Sequence, residues 1–304
     1  MSRIALGPQA RVRVAGVEIV LALGSALTYG ISDFTGGILA KRAHVLTVVL
    51  LSQLVSCAIL TLVLPFWDGT LSWGALQFGA AAGVAGMAGA SLLYRGLAIG
   101  RMGVVAPITA VLAAAIPVAF GLATGERPGA FALIGVVTGL AAVVLISSAP
   151  EPNLDTSGVR HQLKSIMRSG NGVPEALGAG AGFGLFFILL ERAPADSGLW
   201  PLAGTRISMV VFGAVLVAVA GAPIRPPDQM GLSIVWLGFI NLAADLLYLL
   251  ATRSGLLSLV AVITSLYPAA TVGLARIVLN ERMVKQQMVG VGCAAVSVVL
   301  IAGS

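Results

Sequence analysis

The sequence predicts an all-α polytopic membrane protein of ten transmembrane helices, built as two inverted five-helix repeats. Three observations carry that expectation. Of 304 residues, 58% are hydrophobic and only 10% charged, with a mean hydropathy of +1.00. A soluble domain carries about a quarter charged residues, so this chain cannot cover a water-facing surface. Apolar runs of spanning length recur along it, and part of the first half returns in the second at a constant offset. At roughly 20 residues per spanning helix, the length holds about ten passes and leaves no room for a sizeable soluble domain.

Charge-free runs mark six spans. Arg42 and Asp68 enclose 25 uncharged residues, Asp68 and Arg95 enclose 26, and Arg101 and Glu126 enclose 24. Another 23 separate Arg127 from Glu151, 22 separate Arg253 from Arg276, and 19 follow Lys285. Helix is the only option for them, since a lipid-exposed backbone must satisfy its own hydrogen bonds and nothing alternates like a barrel strand. Four more apolar segments carry a charge: 17–39 with Glu18 and Asp33, 174–191 with Glu175 and Glu191, 199–220 with Arg206, and 230–252 with Asp245. The expected spans are therefore 17–39, 45–65, 73–97, 103–123, 129–148, 174–191, 199–220, 230–252, 257–278 and 284–303.

Residues 1–16 form a basic flank, read as the lead-in to the first helix and not as a removed signal. Repeat one occupies 17–148, a linker 149–173, and repeat two 174–304. In the linker, Val159, Leu163, Ile166 and Met167 share one helical face while Arg160, Lys164 and Arg168 share another. That suits an interfacial amphipathic helix; a disordered charged linker is the alternative.

The net charge of +6 sits at the ends of apolar runs, without an aromatic-rich basic cluster. Anionic lipid headgroups explain it better than nucleic acid, so the bilayer is the expected partner and nucleic acid is not. Counting Lys and Arg by loop favours both termini outside, while the three arginines before the first span pull the other way. Cys57 and Cys293 lie inside apolar runs and imply no disulfide framework. Neither His44 nor His161 has a ligand neighbour at metal spacing, so no metal or other cofactor is expected.

Shifting the chain by 155 residues aligns GRMGVVAPITA from Gly100 with GLLSLVAVITS from Gly255, Glu126-Arg127 with Glu281-Arg282, and VVLI from Val143 with VVLI from Val298. Fifteen of the 54 positions from Tyr94 to Ser147 are identical at this offset. Five spans is an odd number, so the second copy enters from the opposite face and the repeat is inverted, the geometry of alternating access. The patterns YRGLAIGRMGVVAPITA followed by GER, and ATRSGLLSLVAVITSLYPAATVGLARIVLNER, resemble the paired EamA domains of the drug/metabolite transporter superfamily. The resemblance covers about 17–303. It implies ten helices around a central cavity that moves small organic solutes, and an Arg early in the second helix of each unit. Arg206 fills that place in the second unit, whereas the first has Gln53 nearby.

Ionisable groups inside a bilayer cost several kcal/mol unless paired or hydrated. Arg206 lies about seven residues into its span and Asp245 about seven before the end of the next, so both sit roughly 10 Å from the same end. They can meet as a static ion pair, or Arg206 can bind an anionic or zwitterionic solute while Asp245 titrates or gates. Asp33 and Arg95, near the exits of spans one and three, read as the inverted counterpart of that pair or as headgroup anchors. Asn241, Asp245, Tyr248 and Thr252 form a polar stripe, as do Ser25, Thr28, Tyr29 and Ser32. Either stripe can face a wet cavity or act as glue between helices. Pro107, Pro117 and Pro268 interrupt the fourth and ninth spans and can serve as hinges, with Thr264 and Tyr267 as cavity wall. The glycine stripes Gly79/Gly83 and Gly178/Gly182 read as packing surfaces, and the two Glu-Arg pairs as caps on the helices that follow them.

The function these features favour is secondary active transport of small organic metabolites or drugs across the plasma membrane, as export, by a monomer. No P-loop is present. Proton coupling would run through Asp33 or Asp245; uncoupled exchange would need neither. A non-transporting receptor or assembly subunit is the alternative, and a membrane-embedded lipid-modifying enzyme a weaker one, for want of a His/Asp or His/Glu cluster.

Overall fold

The computed structural model describes residues 16–40, 42–99, 102–147, 172–225, 229–279 and 283–303. These form α1 (Val17–Ala40), α2 (Val45–Val63), α3 (Trp73–Ile99), α4 (Met102–Ala123) and α5 (Ala130–Ser147). The second half forms α6 (Val173–Arg192), α7 (Trp200–Ala220), α8 (Gly231–Ser254), α9 (Leu257–Thr264), α10 (Tyr267–Leu279) and α11 (Lys285–Ala302). No strand occurs among the described residues. Among the described residues, nine helical stretches, one of them running from α9 into α10, are long and apolar enough to cross a bilayer, and Ile108–Ala123 within α4 is a shorter apolar one. The chain is a multi-pass integral membrane protein. Its outer faces expose many large apolar side chains, Leu62, Val219 and Leu232 among them, as a lipid-solvated surface does.

The helices begin and end where local chemistry demands it. Pro174 and Pro201 sit in the first turns of α6 and α7, where a missing N–H costs nothing. Gly221 ends α7 in the left-handed conformation at φ 61°.

Helix pairs occur in related sets. As α3 packs antiparallel on α6, so α8 packs antiparallel on α1; as α3 packs parallel on α7, so α8 packs on α2. The α4–α6 pair corresponds to α10–α1, while α2–α7 and α5–α11 are each their own counterpart. Following these directions around the bundle makes α6 run opposite to α1, so the two units are inverted. Almost every major contact joins one unit to the other.

Small residues allow these approaches. Gly79 and Gly83 lie against the backbone of Pro201 and Thr205, and Thr205 Oγ1 donates to Gly79 O at 3.0 Å. Gly178 meets Leu92, and Gly182 meets Gly89. Ser56 donates to Gly238 O at 2.6 Å and Ser297 to Gly135 O at 2.7 Å, tying α2 to α8 and α11 to α5.

Three expectations need correction. The fourth span is not interrupted: α4 runs through Pro107 and Pro117 as one helix, and only the ninth span is broken, between Thr264 and Tyr267. Arg95 is not the partner of Asp33; it pairs with Glu175 across α3 and α6 at 3.6 Å, with its own side chain 72% exposed. Glu126 does not cap α5: its carboxylate accepts the backbone N–H groups of Leu257 at 2.7 Å and Ser258 at 3.0 Å, capping α9 of the other unit. The 149–171 part of the linker, Glu281-Arg282 and the side chain of Pro107 lie outside the described residues.

Candidate functional site

The site grows from the seam between α1 and α8. Both helices are apolar except for one polar stripe each, and the antiparallel packing turns the stripes toward each other. Ser25 donates to Ala244 O at 2.9 Å and Ser32 to Asn241 Oδ1 at 3.0 Å, while the Tyr29 hydroxyl donates to Asp245 Oδ1. Ser25 and Asn241 thus each bond to the facing helix within the seam.

Behind Asp245 stands Arg206 of α7, with only 1% of its surface accessible. Its Nη2 lies 2.5 Å from Asp245 Oδ2 and 3.3 Å from Asn241 O. Its Nη1 donates to Gln53 Oε1 of α2 at 2.5 Å, and Nε has no hydrogen-bond partner among the described residues. The result is a chain Gln53–Arg206–Asp245–Tyr29 that starts in unit one, passes through unit two and returns to unit one. Gln53 and Arg206, on the corresponding helices α2 and α7, meet each other directly. A charge pair so deeply desolvated is tolerated because almost every donor and acceptor in it is used.

In front of Asp245 is an aromatic face. Tyr29 meets Phe187 of α6 edge-on at 6.2 Å between centroids and Tyr267 of α10 at 6.3 Å. Phe187 lies 4.5 Å from Tyr248, whose hydroxyl donates to Phe187 O at 3.1 Å, and 5.4 Å from Phe186. Tyr248 is fully buried, whereas Tyr29 and Tyr267 keep accessible surface. Phe186 and Phe187 escape sequence reasoning: an aromatic residue on an apolar helix gives no sign of which neighbour it meets.

Toward one end the face opens. Gly30 is pressed against the backbone of α10, and Thr271 Oγ1 donates to Gly30 O at 3.2 Å. One turn on, Asp33 is exposed and within electrostatic reach of Tyr267. A methyl group on Gly37 or Gly273 would touch nothing within 4 Å. Asp33 is exposed at this level of α1, and Asp245 stays 4% accessible behind Tyr29.

Thr264 is fully buried at the break between α9 and α10, and its hydroxyl and that of Ser265 have no hydrogen-bond partner among the described residues. Pro268 has no N–H to offer Thr264 O, which would otherwise continue the helix. Pro117 is buried within α4. Among the described residues, no group of three or more His, Cys, Asp or Glu could hold a metal ion.

Comparison with known proteins adds a family and a fold. The model of the family described as EamA-like transporter family matches residues 16–148 and 171–303. A solved crystal structure, described only as that of a protein, superposes with a TM-score of 0.69 at 15% identity, over 97% of this chain and 96% of its own. At that identity the likeness concerns the fold alone. No curated protein matches the chain.

Proposed function

Because the chain belongs to the EamA-like transporter family, we propose that it is a secondary active carrier that exports small organic metabolites or drugs across the plasma membrane by alternating access. The observation that supports this reading is the buried Gln53–Arg206–Asp245–Tyr29 chain, which crosses between the inverted units behind an accessible aromatic face. A solute entering beside Asp33 meets Tyr29 and Tyr267 first. Arg206 is closed off by Asp245 and Gln53, so the free charge in this conformation is a carboxylate. That favours a zwitterionic solute whose ammonium group faces Asp33 and the tyrosine rings over a simple anion.

Asp245 is the coupling residue in this reading. A proton on its carboxyl cancels the charge that holds Arg206, so uptake and release of that proton loosen and restore the contact between units. Arg206 and Gln53 hold Asp245 in place, and Pro268 gives the break between α9 and α10 its freedom to bend. The carrier works as a monomer, each chain containing both units.

The test is untargeted metabolite profiling of cells and medium, comparing wild type with Tyr267→Ala and Asp245→Asn at matched membrane abundance. A compound depleted inside and enriched outside with wild type but not with Tyr267→Ala is the expected result, with its export by Asp245→Asn no longer responding to a pH gradient. Full retention of the gradient response would remove Asp245 from coupling. An unchanged metabolite profile in cells fed a broad amine and amino-acid mixture would contradict export.

A further inference from the structure

Both termini of the bundle lie at one end, where Glu18 of α1 and Ala302 of α11 line the same small hollow. At this end the termini of four central elements are tied into a ring by three contacts that the site above does not use. The Arg192 guanidinium, at the end of α6, lies over the ring of Phe120 of α4, 4.7 Å from its centroid. Arg253, at the end of α8, donates to Ala193 O at 2.6 Å and Pro194 O at 3.0 Å, just past the end of α6. Glu126, just past the end of α4, accepts Leu257 N–H and Ser258 N–H at the start of α9. The circuit runs from α4 to α6, from α6 to α8, through the turn at Gly255 into α9, and back to α4.

Two of the three links join unit one to unit two, so an opening at this end must break them. They are unlike in strength. The arginine over Phe120 is a part-exposed cation–π contact worth about 0.5–1 kcal/mol. The Glu126 carboxylate makes two charge-assisted bonds to amides that have no partner inside their own helix, and the positive end of α9 adds to the attraction. Behind the ring lie the fully buried Leu190 and Ala251 and the 9% accessible Thr252.

We propose that Glu126 is the gating residue of the end bearing the termini: its carboxylate holds α9 shut against α4, and its release from the Leu257 and Ser258 amides opens that end. The inference deepens the transport reading and rests on it. Its experiment needs no solute, so failure of the gate and failure of transport are separately visible.

The experiment measures labelling of Thr252→Cys by a charged, water-soluble maleimide in open membranes, with Cys57→Ala and Cys293→Ala in the background. Ser297→Cys, in the tight α5–α11 contact, serves as a reporter of fold integrity. Adding Glu126→Ala is expected to raise the Thr252→Cys labelling rate about tenfold and leave Ser297→Cys protected. Glu126→Gln, which still offers an amide oxygen to one N–H, should give a smaller rise. Unchanged labelling of Thr252→Cys in Glu126→Ala would overturn the proposal. A parallel rise at Ser297→Cys would also overturn it, by making Glu126 a general support of the fold.

Discussion

Arg206 is the residue at which structure and function are hardest to separate. Removing one partner of a buried ion pair leaves an uncompensated charge and costs about 3–5 kcal/mol, while replacing both by apolar side chains of similar volume is often neutral. Arg206→Ala or Asp245→Ala alone should therefore lower membrane abundance and the melting temperature in detergent. The double variant Arg206→Met/Asp245→Leu should recover most of the loss. A residual of about 1–3 kcal/mol is expected, because Gln53 Oε1 loses its donor. Recovered stability without recovered export would show that the pair serves more than folding. The double variant being no more stable than either single variant would mean that the pair is not the coupled unit described above. From the sequence, the equal depth of Arg206 and Asp245 was legible through helix arithmetic. The bonds to Gln53 and Tyr29 were not, since residue spacing does not say which helices are neighbours.

At the scale of elements, the close glycine contacts carry the packing. A Cβ on Gly83 would collide with the backbone of Thr205 and the hydroxyl of Ser208, whereas one on Gly37 would meet open space. Gly83→Ala should destabilise the α3–α7 contact by about 1–3 kcal/mol, read as a fall of several degrees in melting temperature. Gly37→Ala should leave it unchanged or slightly raised. Equal effects at the two positions would contradict the packing described for α3 and α7. Helix bounds were legible within two residues at most ends because charged residues stop the apolar runs. The prolines misled: Pro107 and Pro117 sit in a helix that stays whole, since neighbouring helices in a membrane bundle compensate a lost hydrogen bond. At Pro268, the same lost bond coincides with a real break. Nothing local distinguishes the two cases.

At the scale of the whole molecule, the inverted repeat gives the fold its purpose. The offset of 155 residues was readable because the membrane forces both copies into the same spans and turns. It could not tell that the units interlock, each helix pair of one kind having its counterpart across the bundle. In the present conformation Glu126, Arg192 and Arg253 tie helix ends together at the end bearing the termini. Inverted units of one carrier should exchange these conditions, one end closing as the other opens.

Pulsed electron-electron distance measurement on spin-labelled protein in nanodiscs tests that claim most directly. One pair, Thr124→Cys with Ser254→Cys, reports the end bearing the termini; a second, Gly37→Cys with Ile277→Cys, reports the other. The account predicts two distance populations for each pair. Addition of Glu126→Ala should shift the first pair to longer distances and the second to shorter ones. A single narrow distance at both ends, unmoved by Glu126→Ala, would contradict it.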